Sequence, residues 1–155
     1  ALRLYVLKEI HPFEDSPFTM NMFKEAYNAH LANGLGNLVS RVMKMAETNG
    51  VTLDESKAPA LDVAKHAEFY KKFEINKVCE DIWLRIQDTD KYIQENAPFK
   101  TVKVDIEKGK EQIGFLLASV YHIAKSLEAI LPETSVKILT ALKAGKLDAP
   151  LFMRK

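Results

Sequence analysis

Apolar side chains recur every three or four residues through most of the chain, which is the spacing of one face of an α-helix. The longest run holds this spacing for about six turns; it consists of Phe23, Tyr27, Leu31, Leu35, Leu38, Val42 and Met45. Thr19 can cap the start of this helix, and Gly50 can end it as a C-terminal cap. The pattern therefore predicts one long helix between these two residues.

Two glycines, Gly34 and Gly36, lie inside this predicted helix. A glycine in a helix interior costs about 1 kcal/mol relative to alanine. Close approach by a neighbouring helix or a ligand is the usual reason for such a glycine. We therefore expect another group to pack directly against the backbone at this point.

The remaining periodic segments predict a helical N-terminus and four further helices. The helical spacing covers residues 2–10, 61–72, 74–96 and 105–130. A short last helix runs from Pro132 to about Gly145. Residues 11–17 contain two prolines and are predicted to form a turn. Pro98 ends the helix before it by pushing Ala97 out of the helical region, and residues 99–104 are predicted to be extended or irregular. No segment alternates as a strand does. The prediction is an all-α fold, an antiparallel bundle of four to five helices.

Composition narrows the class of protein. The chain has 155 residues, 47% of them hydrophobic and 28% charged, which suits one folded domain and excludes disorder. With 22 basic and 21 acidic residues the net charge is +1, so only a local basic patch could bind nucleic acid. No apolar run is long enough to span a membrane. Cys79, the one cysteine, lies on the apolar face of the 74–96 helix, where we expect a core residue and no disulfide.

The N-terminus reads as the middle of a helix without an initiating methionine. It also lacks the basic segment and small-residue cleavage site of a signal peptide. We therefore expect a piece of a longer, cytoplasmic protein.

Residues typical of catalysis or metal binding are not grouped in the sequence. The four histidines lie on separate segments without cysteine or glutamate at ligand spacing; they are His11, His30, His66 and His122. There is no glycine-rich phosphate loop and no nucleophile with a base and an orienting partner. We expect no catalytic residue and no metal site in this chain.

A polar stripe follows the long helix beside its apolar face. Asn33, Asn37 and Arg41 stand four residues apart, with Lys44 nearby. Asparagine and arginine are well suited to hydrogen-bonding the edges of nucleic-acid bases. The alternative is a partly buried polar seam, which the spacing alone does not exclude.

A second candidate is the sequence Pro98-Phe99, directly after a long helix. A proline at a helix end can present the next aromatic ring outward, and a presented ring stacks on an unpaired base with about 1–3 kcal/mol. Residues 91–110 around it hold five lysines (Lys91, Lys100, Lys103, Lys108, Lys110) against Glu95, Asp105 and Glu107, a net charge of +2. The alternative is a stop signal followed by a ring that plugs the core.

The sequence around the polar stripe is distinctive. Residues 23–41, FKEAYNAHLANGLGNLVSR, closely resemble the anticodon-binding helix of the methionyl-tRNA synthetase family, with its phrase YN-x-x-LAN-x-LGNL-x-SR. Further matches follow in the family's order: DKYIQENAPF at 90–99 is similar to N-x-YI-x-x-x-APW, LPET at 131–134 to MPET, and PLFMR at 150–154 to PLFPR. Residues 2–10 with Asp15 resemble the family's LRYYLL-x-EI…D. Together the matches span essentially the whole chain.

This resemblance implies the C-terminal helical anticodon-binding domain of a class I synthetase over residues 16–155. Residues 1–15 would be the linker helix that ends the catalytic and stem-contact half. By the same resemblance, Asn37 and Arg41 contact anticodon bases. Phe99, after Pro98, stands where the family has a tryptophan that stacks on an anticodon base.

Four lysines complete the implied site as phosphate contacts: Lys44, Lys91, Lys100 and Lys103. The sequence departs from the family pattern at two further positions. Asp90 stands in place of an asparagine, and Met153 stands in place of a proline. We expect both positions to lie away from the anticodon-contacting residues.

The resemblance also implies the partners and the cofactor of a parent enzyme. The partners are the anticodon loop of methionine tRNA and the parent's own catalytic domain, and the parent would use ATP with Mg²⁺ to charge the tRNA. This chain contains neither a HIGH-like nor a KMSKS-like signature, so by itself we expect no ATP binding and no catalysis. Two alternatives stay open: a helical interaction module that no longer binds RNA, and the equivalent domain of another class I synthetase, such as the cysteinyl or leucyl enzyme.

Overall fold

Eight α-helices make up most of the chain in the computed structural model, which describes residues 1–11 and 13–155. They are α1 (Leu2–Glu9), α2 (Met20–Ala26), α3 (Asn37–Asn49), α4 (Val63–Lys71), α5 (Ile75–Asn96), α6 (Pro98–Val104), α7 (Ile106–Ser126) and α8 (Pro132–Ala144). A π-helical segment, Tyr27–Gly36, joins α2 to α3, and a 3₁₀ turn, Glu55–Lys57, precedes α4. No strand occurs among these residues. The all-α class is therefore confirmed; Pro12, part of the predicted turn, lies outside the described residues.

The core lies around α7, which packs against α3, α5, α6 and α8. The inward-facing apolar side chains of α7 and of the helices around it are fully shielded from solvent; examples are Leu35, Ile82, Ile113, Leu116 and Ile138. Cys79 is buried in this core, as predicted. Burial raises the pKa of its thiol to about 11, so the side chain is an unreactive thiol at neutral pH.

The long helix extends as predicted, but its middle is not an α-helix. The Thr19 hydroxyl accepts a hydrogen bond from the Met22 N–H at 3.1 Å, and Gly50 ends the helix with φ +61°. Between these caps, Tyr27–Gly36 is π-helical. Apolar residues from Phe23 to Leu35 are spaced four apart, which is more than the 3.6 residues in one turn of an α-helix, so they would drift around its surface. A π-helix has more residues per turn and therefore keeps them on one face.

Close packing at the two helix glycines is confirmed. The π-helical segment itself and the C-terminal tail supply the nearest contacts, and Nε1 of Trp83 in α5 lies 4.0 Å from where a Cβ on Gly34 would be. A Cβ on Gly36 would lie 2.8 Å from the Leu31 carbonyl oxygen and 3.3 Å from Cδ2 of Phe152 in the C-terminal tail. A Cβ on Gly34 would lie 3.1 Å from the Ala29 carbonyl oxygen. Both carbonyls come from five residues earlier, so the π-turn itself crowds these positions, and the tail adds to the crowding at Gly36.

The expectation of an irregular segment at 99–104 is wrong, because these residues form most of α6. Ala97 ends α5 in the left-handed region with φ 42°, which fits the predicted break. Pro98 then occupies the first position of α6, where its fixed φ and missing N–H suit a helix start.

The turn from α6 into α7 is equally tight. The Asp105 carboxylate caps α7 by accepting the Lys108 N–H at 3.0 Å. A Cβ on Gly109 would lie 2.3 Å from the Cα of Val102, so only glycine lets α7 fold back against α6. The hairpin of α6 and α7 positions the residues that follow Ala97.

Candidate nucleic-acid interface

Arg41 projects from α3 onto α5. Its Nη1 donates a hydrogen bond to Oδ1 of Asp90, and Gln94 Nε2 donates to Oδ2 of the same carboxylate at 2.7 Å. The Arg41 and Asp90 side chains are 36% and 32% exposed, so the pair lies at the surface between the two helices. A guanidinium has five N–H donors, and most of those on Arg41 remain available to another partner.

The expectation that Asp90 lies away from the residues predicted to contact the anticodon is therefore wrong. Asp90 is the direct partner of Arg41. The two residues are 49 positions apart, and no local sequence pattern indicates which turn of α5 packs against which turn of α3. The partnership follows only from the packing of the helices.

The other members of the polar stripe are exposed. Asn37 makes no side-chain hydrogen bond within the described part of the chain, whereas Oδ1 of Asn33 accepts from Nε of Arg154 at 2.9 Å. Lys44 pairs with Glu47 at 3.0 Å. A buried polar seam does not describe this stripe, since only Arg41 is partly buried.

The C-terminal tail runs beside this stripe and encloses a groove with it. Asn33, Asn37 and Ser40 line one side, and Phe152, Met153 and Arg154 line the other. Met153 therefore also lies close to Asn37, contrary to expectation. Arg154 was not among the predicted site residues, and no periodicity in the tail indicated that it reaches the long helix.

Paired hydrogen bonds hold the tail in place. Asn28 Nδ2 donates to the Lys155 carbonyl at 3.0 Å, and the Lys155 N–H donates to Oδ1 of Asn28 at 3.0 Å. The Phe152 ring packs edge-on against Tyr27 at 6.2 Å between centroids. These contacts place the guanidinium of Arg154 at the rim of the groove.

Phe99 lies on the surface and does not plug the core. Phe99 is 45% exposed, while the preceding Pro98 is buried. The Thr101 hydroxyl donates to the Asn96 carbonyl at 3.0 Å, which ties α6 to the end of α5. Lys100 Nζ lies 5.9 Å from the Phe99 ring centroid. The ring is thus held by a rigid turn and can offer a face to a ligand.

All four predicted phosphate contacts are exposed lysines: Lys44, Lys91, Lys100 and Lys103. Lys91 lies 3.7 Å from Glu95, whereas Lys100 and Lys103 form no ion pair with any described residue. Arg41 meets α5 less than two turns before that helix ends, and Phe99 follows the end directly. The fold thus brings the two predicted parts of the site to the same end of α5.

Neither a metal centre nor a membrane span can be identified. Within residues 1–11 and 13–155, no three side chains of histidine, cysteine, aspartate or glutamate are grouped so as to hold a metal ion. No helix in the same range has both the length and the hydropathy needed to cross a bilayer.

Comparisons with known proteins give a consistent result. A family model described as class I tRNA synthetases (M) matches residues 1–43. The methionine–tRNA ligase of Clostridium acetobutylicum is 34% identical over 91% of this chain and 24% of that protein. The enzyme of the same name from Nostoc sp. is 31% identical over 94% of this chain and 30% of that protein.

A solved structure shares the fold. Mycobacterium tuberculosis methionyl-tRNA synthetase, in complex with methionyl-adenylate, aligns with a TM-score of 0.76 over 95% of this chain and 32% of that chain, at 22% sequence identity. The chain spans about a quarter of the length of the curated relatives it matches. The resemblance to a region of methionyl-tRNA synthetase is therefore confirmed over most of the chain.

Proposed function

We propose that this chain, which matches a region of methionyl-tRNA synthetases over most of its length, recognises the anticodon loop of methionine tRNA. The observation that carries the proposal is Phe99, 45% exposed at the start of α6, directly after a buried Pro98. An exposed aromatic ring held by a rigid turn is a stacking platform for an unpaired base. Residues 16–155 would form the anticodon-binding domain, and residues 1–15 would end the catalytic and stem-contact half.

Recognition would divide between stacking and hydrogen bonding. One base of the loop stacks on Phe99, while Asn37 and Arg41 read the edges of its neighbours. The ion pair with Asp90 holds Arg41 across the gap between α3 and α5 and leaves other N–H groups for a base. The lysines Lys44, Lys91, Lys100 and Lys103 contact phosphates, which adds affinity without sequence preference.

The parent enzyme would supply the chemistry. In this proposal it charges methionine onto its tRNA in the cytoplasm, with ATP and Mg²⁺ bound by a catalytic domain that contacts this region. The chain has no ATP signature of its own, so it should give no ATP–pyrophosphate exchange with methionine. The identity to methionine–tRNA ligases favours them over the cysteinyl and leucyl enzymes.

A direct test compares two RNA stem-loops that differ only in the anticodon. Fluorescence anisotropy should show that this chain binds the loop carrying CAU more tightly than a loop with an unrelated anticodon. Equal affinity for both loops would contradict anticodon recognition.

A second candidate is an interaction module that has lost RNA binding. The Arg41–Asp90 pair favours it, since it neutralises the one cation of the stripe that is partly buried. The net charge of +1 also favours a module that does not bind RNA. In that case neither stem-loop should bind at moderate salt, although the domain remains folded.

A further inference from the structure

A second cavity lies at the end of α5, next to the turn that presents Phe99. Its volume is about 490 Å³, within the range of small-molecule sites. Tyr92 and Asn96 of α5 line one side, Lys108, Gln112 and Phe115 of α7 line the other, and Lys57 of the 3₁₀ turn closes it. Asn96 is three residues before Phe99, so a ligand on the ring would lie near the opening.

The cavity is lined by aromatic, basic and amide side chains, which are types suited to stacking and hydrogen bonding with a nucleotide. The Tyr92 and Phe115 rings are 4.6 Å apart between centroids and form an apolar aromatic wall. Neither Lys57 nor Lys108 forms an ion pair with a described residue, and the single acid, Glu111, leaves the lining with a net positive charge. Two amide side chains, Asn96 and Gln112, complete the set with hydrogen-bonding groups.

Gln112 brings an unpaired acceptor to this part of the molecule. It is 8% exposed, and its Oε1 is buried without a hydrogen-bond donor from any described residue. Buried polar atoms are nearly always paired, and a half-turn of the terminal amide would present this acceptor to a donor in the cavity that Gln112 lines. The amino or imino group of a base is such a donor.

Lys57 is placed over the cavity by a glycine. A Cβ on Gly114 would lie 2.9 Å from Cδ and 3.2 Å from Nζ of Lys57. The lysine side chain therefore lies across α7 at Gly114, and it also lines the cavity. A cation in this position can pair with a phosphate that enters with the base.

We propose that this cavity binds a nucleotide of the anticodon loop other than the one stacked on Phe99, with its base against Tyr92 and Phe115, an N–H donated to Gln112, and its phosphate between Lys57 and Lys108. This subsite rests on the proposed function and extends it to a second extruded base. It gives Gln112 a specificity role that no pattern in the sequence indicated.

The test measures the affinity of CAU stem-loops in which each loop nucleotide in turn is made abasic. Gln112→Leu should weaken the intact loop about tenfold. On the abasic loop that lacks the captured base, Gln112→Leu should cause no further loss of affinity, because the contact it removes is already absent. Gln87→Leu, an exposed glutamine of α5 outside this cavity, is the matched control and should leave every affinity unchanged.

The outcomes separate this subsite from the proposed function. If Phe99→Ala weakens the intact loop and Gln112→Leu does not, the subsite is wrong while anticodon recognition remains. An equal loss from Gln112→Leu on every abasic loop, with a lower melting temperature, would show a structural role and overturn the subsite. Binding of a free 5′-mononucleotide that Gln112→Leu abolishes, with stem-loop affinity unaffected, would assign the cavity to a free nucleotide and overturn it as well.

Discussion

Arg41 and Asp90, 49 positions apart in the sequence, form an ion pair that joins α3 to α5 at the surface of the bundle. The pair gives the proposed base-reading arginine a fixed position. It also places a negative charge where an RNA phosphate or base edge would approach. Removal of the acid and removal of the arginine should therefore change RNA binding in opposite directions.

We predict that Asp90→Asn tightens binding of the CAU stem-loop about two- to fivefold. Asparagine keeps an acceptor for Arg41 but removes the negative charge, and partly exposed ion pairs contribute up to about 1 kcal/mol. Arg41→Ala should weaken the same binding by about 1–3 kcal/mol and relax discrimination at one base. Anisotropy titrations measure both changes. A loss of affinity in Asp90→Asn would show that the carboxylate assists RNA binding.

The Phe99 ring should contribute through stacking area. Phe99→Ala should weaken the stem-loop by about 1–3 kcal/mol, and Phe99→Trp should bind as well or better because the larger ring covers more of a base. Since Phe99 is 45% exposed, the melting temperature should change little in either variant. Unchanged RNA affinity in Phe99→Ala, with the fold intact, would favour the interaction module.

Lys103 should act without sequence preference. It is exposed and has no ionic partner within residues 1–11 and 13–155. Lys103→Ala should weaken the cognate and non-cognate loops alike and lower the slope of log K against log salt by about one. Lys137→Ala on α8 is the control, since this exposed lysine lies on a helix that carries no predicted site residue. A change of discrimination in Lys103→Ala would point to a base contact instead.

Gly109 should be intolerant of any side chain. Gly109→Ala forces a Cβ to within 2.3 Å of the Val102 Cα, so α6 must move away from α7. Overpacking of this kind typically costs about 1–3 kcal/mol. Urea denaturation should show the loss as a lower midpoint. Lys110→Ala, an exposed neighbour on the same helix, should leave the midpoint within error.

Stability should fall as the pH is lowered below neutrality, in part through His30. Burial lowers the pKa of His30 below 6.5, and the nearby Lys8 lowers it further, against an opposing effect of Glu9. The unfolded chain therefore binds this proton more readily, and its uptake below about pH 6.5 favours unfolding. His30→Gln should flatten the stability curve in this window.

Glu9 extends the same trend to lower pH. Burial raises the pKa of its carboxyl group, but Lys8 and His30 outweigh this effect and hold the pKa below 4.5. Its stabilising contribution is present above that pH and is lost as the pH falls through the folded-state pKa. Urea midpoints measured from pH 7 to pH 3 should separate the two contributions. A stability that rises on acidification would contradict both.

The sequence predicted those features that rest on local chemistry. Thr19, Pro132 and Gly145 mark helix ends through hydroxyl capping, a fixed φ and a left-handed turn, so the long helix and α8 lie where the pattern placed them. Local rules also gave the break at Ala97. They did not give α6, because a proline that ends one helix can equally begin the next.

The features that could not be predicted depend on which surfaces meet. The contact of Arg41 with Asp90 and the contact of Arg154 with Asn33 join residues that are 49 and 121 positions apart. The π-segment had a local signal, the steps of four from Phe23 to Leu35. An α-helix whose apolar face drifts slightly around the helix axis fits the same spacing. The spacing alone therefore did not distinguish an α-helix from a π-helix.

Gly36 has a consequence for the groove beside Asn37. The tail rests on the helix at this residue, with Cδ2 of Phe152 3.3 Å from where a Cβ would lie. A larger residue would crowd the Leu31 carbonyl and press on Phe152, and a displaced tail would carry Arg154 away from Asn33 without altering a group that could touch RNA. The groove thus depends in part on a position without a side chain, which mutagenesis restricted to polar or aromatic residues would overlook.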